Sequence, residues 1–203
     1  LKEVRTFVLA TRNLGKAREI SAMLDLPDVK MTTLRDFPAM PEVEEDGATF
    51  EENALKKARE TARHCGVPAL ADDSGLEVNA LDGLPGIRSA RFAGDDASDD
   101  DNNRLLLERM ETVPEERRTG RFVCVLALVE PAGGELVVRG ECCGTILDGP
   151  RGSGGFGYDP LFYYAPLNKT FAEMTSEEKS RVSHRGEALR KLHAVLAGAP
   201  DGA

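Results

Sequence analysis

The chain has 203 residues, 41% of them hydrophobic and 30% charged, with a formal net charge of -9 at neutral pH. Those values describe a globular protein of one large domain with a substantial core, and the acidic balance excludes the broad basic face that general nucleic-acid binding needs. The longest apolar runs, such as FVCVLALV from Phe122 to Val129, are too short to cross a membrane. The first residues lack the apolar core and small-residue site of a secretory signal.

In chain order, FVLAT predicts a buried strand, and NLGKAREISAMLD a helix with Ala17, Ile20, Ser21 and Leu24 on one face. VKMTTL predicts a second short strand. The Pro- and Glu-rich stretch PAMPEVEEDGA reads as a loop leading into a long helix near Thr49, whose inward stripe is Phe50, Ala54, Ala58 and Ala62. PALAD predicts a strand, and the Gly and Pro of LEVNALDGLPGIRSARF predict turns. The acidic run GDDASDDDNN misses the spacing of a calcium loop. It reads as a solvated loop whose Asp99 or Asp100 caps the helix NNRLLLERM.

RTGRFVCVLALVEPAGGELVVRGECCGTIL predicts a hairpin turning at Pro131 to Gly134. YDPLFYY is strand-like, and two helical stretches then flank SHRG, the first opened by the capping-box pair Thr175 and Glu178. The four cysteines form no CxxC pair and no Cys/His ligand spacing, which argues against zinc and for a reducing cytoplasm. No repeat or interdomain linker interrupts the pattern. The fold class is α/β, a mixed sheet with helices packed on it, in a single domain over residues 1–203.

PALAD ends in Asp72 and is followed directly by Asp73. Adjacent residues of an extended segment point to opposite faces, so the two carboxylates do not share one proton. A plain turn is the competing reading, because Asp-Ser-Gly is ordinary loop chemistry. Four other segments weigh against it. TRNLGK, Thr11 to Lys16, lies at a strand-to-helix junction, where free N–H groups and the dipole favour an anion. Lys16 sits four residues before Ile20, and Thr11 and Asn13 can add hydrogen bonds, although the same residues also make a respectable helix cap. Lys57 falls almost on the buried stripe of its helix, where a lysine snorkels or meets an anion, while Lys56 can pair with Glu52.

GSGGFGYDP contains GxGxxG but lies before an aromatic, strand-like run rather than a helix, so it is no dinucleotide fingerprint. It fits better as a glycine-rich loop presenting Phe156 to a flat ring, with Asp159 as acceptor. EEKSRVSHRGEAL places Lys179, His184 and Arg185 together, with Arg185 on the buried side at the start of the last helix. Inward cations, helix starts, a ring platform and strand-end carboxylates converge on a nucleotide polyphosphate with Mg²⁺.

TRNLGK, EEDGATFEENALKKA, ADDSGLEVNALDGLPGIRSARFAG, GGFGYDPLF and EEKSRVSHRGEAL, in this order, resemble the inosine/xanthosine triphosphate pyrophosphatases, the HAM1-like family, over nearly the whole chain. The resemblance implies Mg²⁺-dependent hydrolysis of ITP, dITP and XTP to the monophosphate and pyrophosphate. It also implies a homodimer and a long mixed twisted sheet with flanking helices forming two lobes around a central cleft. Carried over by position, Asp73 is the catalytic proton acceptor and a metal ligand, with Glu45 as the second. Thr11, Arg12, Asn13, Leu14, Gly15 and Lys16 form the phosphate-binding junction, joined by Lys57, with Ser74 as a further substrate contact. Phe156, Gly157, Tyr158 and Asp159 form the base loop, and Lys179, His184 and Arg185 contact base and phosphate. The sequence departs from its relatives at Cys142 and Cys143, outside these motifs. A pyrophosphatase for another modified nucleotide and a catalytically silent nucleotide sensor are the alternative readings.

Overall fold

The structure is a computed structural model that describes residues 5–24, 29–37 and 39–198. Strand β1 (Arg5–Leu9) leads into helix α1 (Leu14–Met23), and β2 (Val29–Thr33) pairs in parallel with β1. Helix α2 (Phe50–Cys65) returns the chain to β3 (Ala69–Val78), parallel to β1 on its other side. Helix α3 (Asp99–Met110) precedes the long strands β4 (Thr119–Val129) and β5 (Glu135–Ile146). Strands β6 (Phe162–Tyr164) and β7 (Lys169–Thr170) and helices α4 (Ser176–Val182) and α5 (His184–Leu196) complete the described chain. The seven strands form one mixed sheet in the order β2-β1-β3-β4-β5-β6-β7, with antiparallel pairing from β5 to β7.

Two compact units divide the chain, the first of residues 1–73, 124–140 and 185–203, the second of residues 74–123 and 141–184. Each has its own apolar core. In the first, Phe7, Leu9, Ile20, Leu70, Leu126 and Leu189 are buried together. In the second, Leu76, Leu106, Met110, Phe122, Phe162 and Phe171 are. Residues Phe122 to Val129 of β4 are all buried, as expected of a strand covered on both faces.

The helices begin and end where their local chemistry says. Asn13 caps α1 by accepting from the Lys16 N–H, Thr49 caps α2 by accepting from the Glu52 N–H, and Thr175 and Glu178 form the capping box of α4. Gly66, in the left-handed region at φ 69°, ends α2. Phe50, Ala54, Ala58 and Ala62 are the buried stripe of α2.

Four expectations change. The strand predicted as PALAD is longer: β3 continues through DSGLEV to Val78, and the two aspartates find partners on either side of it. Ser21 is exposed, so the buried face of α1 narrows to Ile20 and Leu24 with Ala17 partly buried. Ser98, not Asp99 or Asp100, caps α3 through a capping box with Asp101. Lys56 pairs with Asp46 at 2.6 Å, while Glu52 accepts from the Ala48 N–H. The predicted end of the first helix at Asp25 lies outside the described residues.

Candidate functional site

In the first unit, β3 carries Asp72 and Asp73 into two different environments. Asp72, 1% exposed, takes Lys16 Nζ on Oδ1 at 2.6 Å and Arg185 Nε on Oδ2 at 2.9 Å, and the Cys124 thiol donates to Oδ2 at 3.2 Å. Burial works to raise the Asp72 carboxyl, but Arg185 and Lys16 overcome it and hold it well below the usual carboxylate range. Arg185 also reaches Glu19 on α1. Asp72 thus fixes two cations brought from elements far apart in the chain, the start of α1 and the start of α5.

Asp73, on the other side of the strand, faces Lys57. The Lys57 ammonium donates to the backbone oxygen of Asp72 at 2.7 Å and to Glu45 Oε1 at 2.8 Å, and lies 3.5 Å from Asp73 Oδ1. Burial opposes the charge on Lys57, but Asp73 and Glu45 outweigh it and raise its value. Burial also raises the Asp73 carboxyl above its ordinary value, only partly offset by Lys57 and Lys16. Its Oδ2 is buried with no hydrogen-bond partner among the described residues. A buried carboxylate oxygen left unsatisfied, next to a lysine and on a strand, is a costly arrangement that a bound cation or a proton would relieve.

The α1 junction places the other predicted phosphate groups. Thr11 Oγ1 accepts from the Asn13 N–H, Arg12 donates to the Met40 carbonyl, Leu14 is 54% exposed and opens the helix, and Gly15 follows it in the first turn before Lys16. Ser74, the residue after Asp73 on β3, is partly buried.

In the second unit, the loop containing Phe156 is tied from several sides. Asp159 Oδ2 accepts from the Phe156 N–H at 2.9 Å and from Lys179 Nζ at 2.6 Å. The same ammonium lies 4.8 Å from the Phe156 ring centroid and 5.6 Å from that of Phe171. Gly155 and Gly157 have φ of 74° and 61°, left-handed values that favour glycine, and a Cβ on Gly155 would meet Asp159 Oδ2 at 2.0 Å. Tyr158 is buried and donates to the Ser89 carbonyl at 2.8 Å. His184 stacks on Phe122 at 4.7 Å between centroids.

The structure therefore gathers Lys16, Asp72 and Arg185 in one group, Glu45, Lys57 and Asp73 in a second, and Phe156, Asp159 and Lys179 in a third. Sequence reasoning missed Glu19 and Cys124. Glu19 stands three residues after Lys16 and so on the same side of α1; Cys124 carries no signal beyond an apolar strand.

Among the described residues no cluster of three or more His, Cys, Asp or Glu side chains could hold a metal ion. The pair Asp73 and Glu45 fits a lighter requirement. Mg²⁺ is commonly held by one or two carboxylates and completed by substrate phosphates and water, and the unpartnered Asp73 Oδ2 is a hard oxygen donor of the right kind.

Residues 7–195 match the Ham1 family. The chain is 60% identical over 185 residues to the dITP/XTP pyrophosphatase of Syntrophobacter fumaroxidans, covering 91% of this chain and 79% of that protein. It is 57% identical over 185 residues to the dITP/XTP pyrophosphatase of Geobacter sulfurreducens, covering 91% and 93%. The structure of a HAM1 protein from Coxiella burnetii superposes with a TM-score of 0.87 at 42% identity, covering 96% of this chain and 100% of that one. The match takes in both compact units and every motif around the paired aspartates, and the chain belongs to the Ham1 family.

Proposed function

We propose that the protein hydrolyses non-canonical purine nucleoside triphosphates, ITP, dITP and XTP, to the monophosphate and pyrophosphate, with Mg²⁺. The observation that carries the reading is Asp73, buried, raised by burial and holding an unpartnered oxygen beside Lys57 and Glu45. The relatives' names, dITP/XTP pyrophosphatase, support the substrate class.

Asp73 and Glu45 would hold the Mg²⁺, which when bound neutralises phosphate charge and favours attack by water. Asp73 takes the proton from that water as its oxygen bonds to the α-phosphorus. The bond from the α-phosphorus to the bridging oxygen breaks, and pyrophosphate leaves with the electron pair. Lys16, Lys57 and the N–H groups of Leu14 and Gly15 at the start of α1 stabilise the charge of the triphosphate. Ser74 adds a contact on the strand. Asp72 keeps Lys16 and Arg185 in place and takes no proton.

The Phe156 loop, through Gly157, Tyr158 and Asp159, supplies the surface for the base. Lys179 and His184 are the donors for the 6-oxo group that distinguishes hypoxanthine and xanthine from adenine. A site built on that hydrogen bond discriminates by about 10⁴-fold against a ring that lacks the acceptor. Arg185 acts from the Asp72 side, since its guanidinium is engaged with Asp72 and Glu19. Residues 1–203 are proposed to form one functional domain.

The same reading extends to a homodimer working in a reducing cytoplasm. Sedimentation equilibrium tests the dimer. Hydrolysis in ¹⁸O-water tests the chemistry: label in the monophosphate is expected, and label in pyrophosphate would place the attack at the wrong phosphorus.

A further inference from the structure

The acidic run GDDASDDDNN, which extends into the start of α3, is not used by the nucleotide reading. Ser98 and Asp101 cap the helix between them, which leaves Asp99, at its first position, for another task. Its Oδ2 accepts from the Gly157 N–H at 2.6 Å. One turn further along α3, Asn103 Nδ2 donates to the Gly157 carbonyl at 2.9 Å. The two bonds hold the peptide groups on either side of one Cα. One therefore fixes the rotation about φ and the other the rotation about ψ, at a residue whose φ is 61°. A glycine is free to leave that region at little cost, so its conformation needs outside support.

We infer that Asp99 and Asn103 are positioning residues that clamp Gly157 and thereby aim the Phe156 ring. Phe156 is the preceding residue, and its own backbone is held from the other end: its N–H donates to Asp159, and its carbonyl accepts from the Asp159 N–H at 3.3 Å. The Lys179 ammonium in turn holds Asp159. The ring platform thus hangs between two helices, α4 through Lys179 and α3 through the clamp. Asn102, the neighbour of Asn103, is buried and ties Ala90 and Ala93 in the same way, so α3 acts as a brace for two loops.

The inference rests on the nucleotide reading, in which Phe156 meets the base and takes no part in bond breaking. Losing the clamp should therefore weaken substrate binding and leave the chemical step alone. Asp99→Ala, Asp99→Asn and Asn103→Asp in the full chain, assayed with dITP and XTP, test it. Loss of one such hydrogen bond raises KM about fivefold with kcat within about twofold of wild type. Asp99→Asn retains an acceptor and should restore most of the affinity, which a general structural defect would not allow. Asn103→Asp presents an oxygen to the Gly157 carbonyl and should behave like Asp99→Ala.

Amide exchange at Gly157 reads the clamp without any substrate: it should quicken about fivefold in Asp99→Ala and stay near wild type in Asp99→Asn. Unchanged KM in Asp99→Ala, or a fall in kcat at constant KM, would overturn the inference. If wild-type protein turned over neither nucleotide, the nucleotide reading would fall. Exchange at Gly157 would then decide alone, faster exchange upholding the clamp and unchanged exchange refuting it.

Discussion

Asp72 and Asp73 are neighbours whose surroundings push them in opposite directions. Asp72 has a depressed folded-state value, so its contribution to stability is present above the unfolded value of about 4 and is lost as pH falls through the folded one. Asp72→Asn strands Lys16 and Arg185 without their carboxylate and should cost about 3–5 kcal/mol at pH 7. Urea midpoints taken from pH 7 down to pH 2 should show that gap narrowing below about pH 4; a gap of constant size would contradict the assignment. Asp73 carries the reverse sign. Burial raises its value, so its charge opposes folding at neutral pH. Asp73→Asn should abolish turnover yet raise stability at pH 7 by on the order of 1 kcal/mol, a gain that vanishes in acid, where the wild-type carboxyl is itself protonated. Lys57 keeps Glu45 as a partner in that variant. A destabilised Asp73→Asn would show that the carboxylate is structural.

At the scale of elements, close approach sets the sharpest test. A Cβ on Gly144 of β5 would lie 2.6 Å from Phe162 Cζ and 2.7 Å from the Tyr163 carbonyl oxygen on β6. Gly144→Ala should therefore cost about 1–3 kcal/mol by overpacking, read as a lowered melting temperature; an unchanged melt would mean that β6 yields freely. The elements with strong local chemistry were legible in the sequence. Thr49, Thr175 and Glu178 cap the helices they announce, and the alanine stripe of α2 is buried as its period requires. The extension of β3 was not legible. Asp-Ser-Gly is turn chemistry by local preference, and only the cations on α1, α2 and α5, distant in sequence, make a strand affordable there. The start of α3 failed for a smaller reason: in SDDD several residues can cap, and the Ser98–Asp101 reciprocity decides.

At the scale of the whole molecule, an acidic chain is proposed to act on a polyanion. Its net charge of -9 gives no general attraction for a triphosphate, so binding must come from local cations and the divalent ion. Chelation with EDTA should stop turnover and leave the fold intact, because Lys57 links Glu45 and Asp73. A melting temperature that collapsed on chelation would instead mark the ion as structural. The central claim is the substrate and the bond broken. Pyrophosphate release from ITP, dITP, XTP, GTP and ATP with Mg²⁺, run beside Asp73→Asn, tests it most directly. Fast release from the first three, little from GTP and ATP, and collapse in the variant are expected; orthophosphate as the product, or full activity in Asp73→Asn, would contradict it.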